Sequence, residues 1–372
     1  MTSPARAALG VAVGARVPVL LWGGPGIGKS SAVREMAEQA CLPCETVIAS
    51  IREPSDFAGL PIVEDGRSVR FAPPRWAERL AEAGHGILFL DEISTAPPAV
   101  QAALLRVVLE RTVGDLALPD GVTVVAAANP PEQAADGWDL SAPLANRFCH
   151  LDWELTASEW ADGIIGGFDA AAIPTFDPDR FSRTLTETRG SLGAFISSRP
   201  ALLAAPPTNP ADAGRAWPSP RSWEMGARLL TAAGLSAQPE VVTGLLMAGA
   251  VGPAAAAEYL AWREDLELPD PEVVLGNPAD FRLPDRGDKA YAALALVTAA
   301  VLGNNTPDRW QAAWQAIAAG TRNGHADIAV AAIRSLVTHR PDGAVPPREV
   351  LAALAPVLKT AGMFERLAAS NA

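Results

Sequence analysis

Gly23-Gly24-Pro25-Gly26-Ile27-Gly28-Lys29-Ser30 decides the fold of this 372-residue chain. It fits G-x-x-x-x-G-K-[ST], the loop that cradles nucleotide phosphates. Val17 to Trp22, just before it, is a short apolar run expected as a buried strand. Ser31 to Gln39, just after it, carries Ala32, Val33, Met36 and Ala37 at helical spacing. The chemistry needs that arrangement. Glycines let backbone N–H groups curl round phosphate oxygens with no Cβ in the way. The helix N-terminus adds free donors and partial positive charge. Lys29 is expected on the β- and γ-phosphates, and Ser30 on Mg²⁺. The plainer reading is a glycine turn between strand and helix. Lysine is scarce here, 3 residues among the 30 Lys and Arg, so one at this position stands out.

A second motif follows about 60 residues on. Gly86-Ile87-Leu88-Phe89-Leu90 runs into Asp91-Glu92. A continuous apolar run fits a parallel strand buried on both faces. Two acids at its C-terminal end lie where ligands bind in open α/β sheets. Asp91 is the expected second metal ligand, and Glu92 the base that polarises the attacking water. Val122 to Ala128 is a further buried strand, ending at Asn129-Pro130. An amide at that tip can hold the lytic water, although alone it reads as an asparagine opening a turn.

Two segments interrupt this plan. Pro54 to Gly59 reads as a helical turn, then Leu60–Val63 and Ser68–Phe71 flank Glu64-Asp65-Gly66-Arg67, a hairpin signal. Arg111–Leu118 reads as a second hairpin, after a helix over Pro97–Glu110. Insertions on a rigid scaffold are places for partner contact, or simply ornament. Leu140 to Phe148 holds Leu144-Ala145-Asn146-Arg147-Phe148 before a strand over Cys149–Leu155.

In this order the motifs resemble those of AAA+ ATPases. The two hairpins, and Trp217-Pro218-Ser219-Pro220-Arg221, resemble the MoxR family within them. The resemblance covers roughly residues 5 to 280. It implies an α/β P-loop core with a parallel sheet of order 5-1-4-3-2, then an all-α lid and a C-terminal helical extension. The corresponding domains are 1–155, 156–280 and 281–372. It implies ATP, bound by Gly23 to Ser31, with Mg²⁺ on Ser30 and Asp91. No Asn-Lys-x-Asp guanine-reading motif is present. It further implies that Asn129 positions water, that Arg147 is an arginine finger reaching a neighbouring subunit's γ-phosphate, and that Arg221 is the lid's sensor arginine. A homo-oligomer, usually a hexameric ring, and a protein client, with proteins bearing a von Willebrand factor A domain among the candidates, complete the implication. Phe57-Ala58-Gly59 superficially resembles the aromatic substrate-gripping loop of unfoldases.

Bulk properties narrow the alternatives. A net charge of −12 disfavours non-specific nucleic-acid binding. A nucleic-acid-directed motor or loader is therefore the second reading, and a nucleotide-controlled assembly switch the third. Three cysteines make no disulfide framework, which points to a reducing, cytoplasmic setting. Cys41-Leu42-Pro43-Cys44 admits redox or metal chemistry or ordinary packing. No signal-peptide pattern opens the chain, and the apolar runs near Val241–Ala257 and Tyr291–Gly303 fall short of a membrane span. Pro178–Ser198 and Pro220–Ala233 are expected lid helices, and Asp265–Arg286 an irregular linker. Lys289–Leu302, Asp308–Ala319, Ala326–Val337 and Pro347–Ala361 are expected helices, with Trp310 and Trp314 spaced for a core. Trp22 has no evident chemical role.

Overall fold

In the computed structural model the described residues are 3–66, 68–130, 139–266, 268–323 and 328–360. Arg67 of the expected hairpin turn, Ala326 and Ala361 lie outside them. Nine strands are described: β1 (Val19–Trp22), β2 (Cys44–Ile48), β3 (Leu60–Glu64), β4 (Ser68–Ala72), β5 (His85–Asp91), β6 (Thr112–Val113), β7 (Leu116–Ala117), β8 (Gly121–Ala128) and β9 (Cys149–Asp152). Five form one parallel sheet in the order β2-β5-β8-β1-β9. Numbered among themselves in chain order, without the hairpin strands, they run 2-3-4-1-5, which is 5-1-4-3-2 from the β9 edge. The fold is that of an AAA+ P-loop nucleoside triphosphatase.

The central strands β5 and β8 are buried from Gly86 to Leu90 and from Val122 to Ala128. Helices cover both faces of a parallel sheet, so these strands are almost wholly apolar, with Thr123 the buried polar residue of β8. The register aligns their C-terminal ends. Trp22 pairs with Ala128 and with Asp152, and Leu90 pairs with Ala126. The loop after β1, the acids after β5 and Asn129 after β8 therefore emerge side by side.

Sixteen α-helices are described. Up to the end of β9 they are α1 (Pro4–Gly14), α2 (Lys29–Gln39), α3 (Ser55–Ala58), α4 (Arg75–Ala83), α5 (Pro98–Glu110) and α6 (Ala142–Ala145). Beyond β9 come α7 (Ala157–Gly166), α8 (Pro178–Ser198), α9 (Pro220–Leu235), α10 (Glu240–Val251), α11 (Pro253–Glu264), α12 (Pro271–Gly276), α13 (Gly287–Gly303), α14 (Pro307–Gly320), α15 (Ala329–Thr338) and α16 (Arg348–Thr360). Gly252 (φ 85°) and Pro253 divide the apolar run into α10 and α11. The helices α4 and α7 have no counterpart among the sequence expectations. The expected linker over Asp265–Arg286 contains α12, capped by Asp270 through the Glu272 N–H.

The chain divides into two compact units, 1–176 with 202–257, and 177–201 with 258–372. Boundaries at 155 and 280 are thus not where the compact units divide. The first unit contains the sheet and, with it, α9 and α10. The second builds its core round α13 and α14. Trp310 and Trp314 are fully buried there, edge to face at 5.6 Å, and Trp310 Nε1 donates to Leu336 O at 2.9 Å.

Both hairpins form. β3 pairs antiparallel with β4, and β6 with β7. They lock together where Asp115 N donates to Phe71 O (3.0 Å) and Phe71 N donates to Asp115 Oδ2 (2.8 Å). A Cβ on Gly59 would lie 2.8 Å from Gly114 Cα, so this junction requires glycine. Leu60, Ile62, Val63, Val69 and Phe71 of the larger hairpin are exposed. Phe57 is not; it is buried on α3 against Trp76, with ring centroids 6.3 Å apart. It is a core residue under the hairpin and cannot grip a substrate from there.

Candidate active site

Gly26 (φ 77°) and Gly28 (φ 86°) take left-handed backbone conformations, and nothing lies within 4 Å of where their Cβ atoms would stand. That opens a cradle at the start of α2, whose N-cap Gly28 offers no side chain. Gly23 is glycine for a different reason. Its Cβ would meet Ile27 Cδ1 and Trp153 O at 2.5 Å. A pocket of about 350 Å³ follows, lined by Pro25 to Ser31, Arg34, Asp91, Glu92, Ala127 and Asn129.

Lys29 is nearly buried, and its Nζ donates to Gly23 O (2.6 Å), Gly24 O (2.9 Å) and Asn129 Oδ1 (3.0 Å). Burial lowers its pKa from the ordinary lysine value, and the Asp91 carboxylate partly opposes that. Ser30 Oγ donates to Asp91 Oδ2 at 2.7 Å. These two oxygens are hard ligands of the kind Mg²⁺ takes when phosphates and water complete its shell. Among the described residues no group of three or more His, Cys, Asp or Glu is arranged for a metal ion. The Ser30 and Asp91 oxygens leave most of a six-coordinate shell to phosphate and water, as for a metal that arrives with a nucleotide. Lys29, the α2 N-terminus and the glycine cradle fit its phosphates.

Glu92 has φ 56°, a left-handed conformation in a residue other than glycine. The turn lifts its carboxylate off the strand line. Its N–H donates to Asp91 Oδ1 (3.0 Å), and Ser50 Oγ donates to Glu92 Oε2 (2.5 Å). Ser50 follows β2, the neighbour of β5, so register alone sets it there. No sequence motif marks this partner, nor Arg34, whose Nε donates to Ser30 O at 3.3 Å. Asn129 is fixed through its backbone, which exchanges hydrogen bonds with Ser94 Oγ at 3.2 and 3.3 Å.

The sheet thus brings together Lys29, Ser30, Asp91, Glu92 and Asn129. Arg147 and Arg221 do not line the pocket. They lie within electrostatic reach of each other instead. Burial first, then the Arg221 charge, lowers the Arg147 pKa from its ordinary value. Arg147 Nη1 donates to Pro143 O, and its Nε is buried with no partner among the described residues.

Residues 18–148 match the profile of the AAA domain (dynein-related subfamily). This stretch is an AAA domain, an ATP-hydrolysing module. No curated protein sequence matches the chain. A candidate ATPase from Cytophaga hutchinsonii, known as a crystal structure, is similar at 18% identity with TM-score 0.39. That match covers 69% of this chain and 85% of the other. A full-length MCM homolog from Methanopyrus kandleri is similar at 21% identity and TM-score 0.36, covering 68% of this chain and 54% of that one.

In the AAA domain Trp22 has a role in holding the phosphate loop's base. Its Nε1 donates to His150 Nδ1 at 2.8 Å, the rings stack 6.2 Å apart, and the Arg215 guanidinium lies 4.3 Å over the indole. His150 Nε2 faces Ala145 O at 2.9 Å. A ring that accepts at Nδ1 and donates at Nε2 is neutral. Burial holds the His150 pKa down at about 4. The unfolded chain takes up that proton near pH 6.5, so this group favours the folded state above pH 6.5. The advantage, about 3 kcal/mol, is lost as pH falls from 6.5 to 4. Urea unfolding at pH 7.5 and 4.5 checks this: His150→Asn should narrow the difference between the two pH values relative to the native sequence.

Cys44 in β2 and Cys149 in β9 stand at opposite edges of the sheet. Burial pushes the Cys149 thiol up to about 12. No helix among the described residues is long and apolar enough to cross a membrane.

Proposed function

We propose that this chain is a MoxR-like AAA+ ATPase that assembles into a ring, hexameric by resemblance, and couples Mg²⁺-dependent ATP hydrolysis to remodelling a protein client. The observation that carries the ATPase chemistry is the set of three strand ends converging on one pocket. Lys29 and the α2 N-terminus would bind the phosphates. Ser30 and Asp91 would hold Mg²⁺, which supplies charge neutralisation at the reacting phosphate. Glu92 would take the proton from the attacking water, and Asn129 would orient it. Arg147 would serve a neighbouring subunit's ATP, and Arg221 its own.

A protein client is favoured over nucleic acid by the charge of −12 and by the apolar, exposed β3–β4 hairpin. The test uses the Glu92→Gln chain in ATP as bait. It should recover a protein, with one bearing a von Willebrand factor A domain the first expectation. Phe71→Asp should lose that capture while keeping the native rate of ATP turnover. Severalfold stimulation of native turnover by DNA or RNA, with no protein captured, would favour the nucleic-acid motor and overturn this reading.

A further inference from the structure

Asn146 is 4% exposed and sits between Ala145, the last residue of α6, and Arg147. A buried amide costs free energy unless its groups are paired, and these are. Its Nδ2 donates to Trp217 O at 2.9 Å, and its Oδ1 accepts from Ser219 Oγ at 2.6 Å. Ser219 is the N-cap of α9, two residues before Arg221, and its Oγ also accepts from Ser222 N at 3.1 Å. Ser222 Oγ in turn donates to Trp217 O at 3.0 Å. The result is a closed polar network, 71 to 73 residues apart in sequence, between the segment that presents Arg147 and the helix start that presents Arg221. On its other side, Ala145 O faces His150 Nε2, and His150 accepts from Trp22, the residue preceding Gly23.

Two like-charged guanidinium groups held close repel each other, and a surface loop would let them separate. An apolar residue at position 146 would leave Ser219 Oγ without this acceptor, so the amide is part of the network that joins the two segments. A fully satisfied buried network specifies one arrangement.

We propose that Asn146 is a positioning residue that clamps Arg147 to the start of α9, fixing it relative to Arg221. The inference rests on the reading above, in which both arginines act on ATP. Under it, the clamp ties the arginine that meets a chain's own ATP to the arginine offered to the next chain. Occupancy of one site then conditions turnover at its neighbour.

The experiment compares full-length native protein, Asn146→Ala, Arg147→Lys and the double variant. It reads kcat, the ATP dissociation constant, the Hill coefficient for ATP and the unfolding midpoint. Asn146→Ala should lower kcat roughly 10- to 100-fold, as expected when a reacting group is displaced by about an ångström. ATP affinity should hold within about twofold, and the Hill coefficient should fall to about 1. In the Arg147→Lys background the same change should cost less than about twofold, because Asn146 acts through that arginine. A merely structural role would give the same loss in both backgrounds, and that result overturns the proposal. So does a native kcat in Asn146→Ala when Arg147→Lys is impaired, which leaves the arginine reading standing. If Arg147→Lys and Arg221→Lys both turn over normally, the arginine reading itself falls and the clamp with it. Should Asn146→Ala not fold, Asn146→Ser keeps a small polar side chain while giving up the amide that bridges Trp217 O and Ser219 Oγ, and must show the same background dependence.

Discussion

Glu92→Gln is expected to bind ATP with an affinity within about twofold of native and to lower kcat by at least about 100-fold, the typical contribution of a positioned general base. The two effects separate because Glu92 is not placed to hold phosphate. Lys29, the glycine cradle and the N-terminus of α2 lie on one side of the pocket, and Glu92 leaves β5 on the other. The substitution is also gentle on the fold. Glutamine keeps the shape of the side chain, and its amide oxygen can accept from Ser50 Oγ as the carboxylate does at 2.5 Å. The backbone bond from residue 92 N–H to Asp91 Oδ1 does not involve the side chain and remains. What disappears is the ability to take a proton. Steady-state phosphate release and equilibrium binding of a fluorescent ATP analogue give the two numbers. Turnover within about threefold of native would remove Glu92 from the base role. Weak binding together with lost turnover would mean that Glu92 holds the metal or the phosphates, and its neighbour Asp91 would need a different assignment.

The difference between Glu92 and Ser50 shows what a sequence can and cannot reveal about this site. Gly23 to Ser30, Asp91-Glu92 and Asn129 are each read in place because each is short, contiguous and attached to the end of an apolar run. A parallel sheet then does the rest, since the buried strands come into register at their C-terminal ends. Ser50 belongs to no motif. It meets Glu92 because β2 pairs with β5, with Ile48 opposite Asp91, and strand pairing is not written in local composition. Trp22 is similar. As a letter it is an odd bulky residue before a glycine loop, and only the pairing of β1 with β9 supplies His150 as its acceptor. Asn146 was legible as part of Leu-Ala-Asn-Arg-Phe, but its partners lie beyond residue 210. The helices from α8 onward were mostly visible in their periodicity. Their grouping was not, because α8 packs with α13 across about a hundred residues of chain and so belongs with the second unit. Phe57-Ala58-Gly59 is the opposite case: its letters only superficially resemble an exposed grip, and burial against Trp76 places Phe57 in the core.

Arg147→Ala is expected to abolish the concentration dependence of ATP turnover along with most of the turnover itself. An arginine supplied to a phosphoryl-transfer site is worth about 10³- to 10⁵-fold in rate. Among the described residues the pocket is lined from the phosphate loop, α2, β5 and β8, and the one arginine in that lining is Arg34. Arg34 bonds back to Ser30 O from the middle of α2. In the proposed reading Arg147 is the donor offered to a second chain. Its Nη1 is tied to Pro143 O, while its buried Nε has no partner among the described residues. Burial and then the Arg221 charge lower its pKa, and the anionic oxygens of a triphosphate would offset that. A site completed by a neighbour has a kinetic signature. For the native chain, turnover per subunit should rise with protein concentration and reach a plateau as assembly saturates. For Arg147→Ala, turnover should stay low and flat across the same range. Mixing supplies the decisive comparison with Glu92→Gln. The first variant keeps a sound pocket but offers no arginine, and the second offers the arginine but has a dead pocket. Subunits of the two kinds in one assembly should recover activity that neither has alone, because a pocket with Glu92 then receives Arg147 from its neighbour. Recovery to a measurable fraction of native turnover would place the arginine in trans. Native turnover that does not vary with concentration, together with no recovery on mixing, would mean that each chain completes its own site, and Arg147 would lose its assigned role.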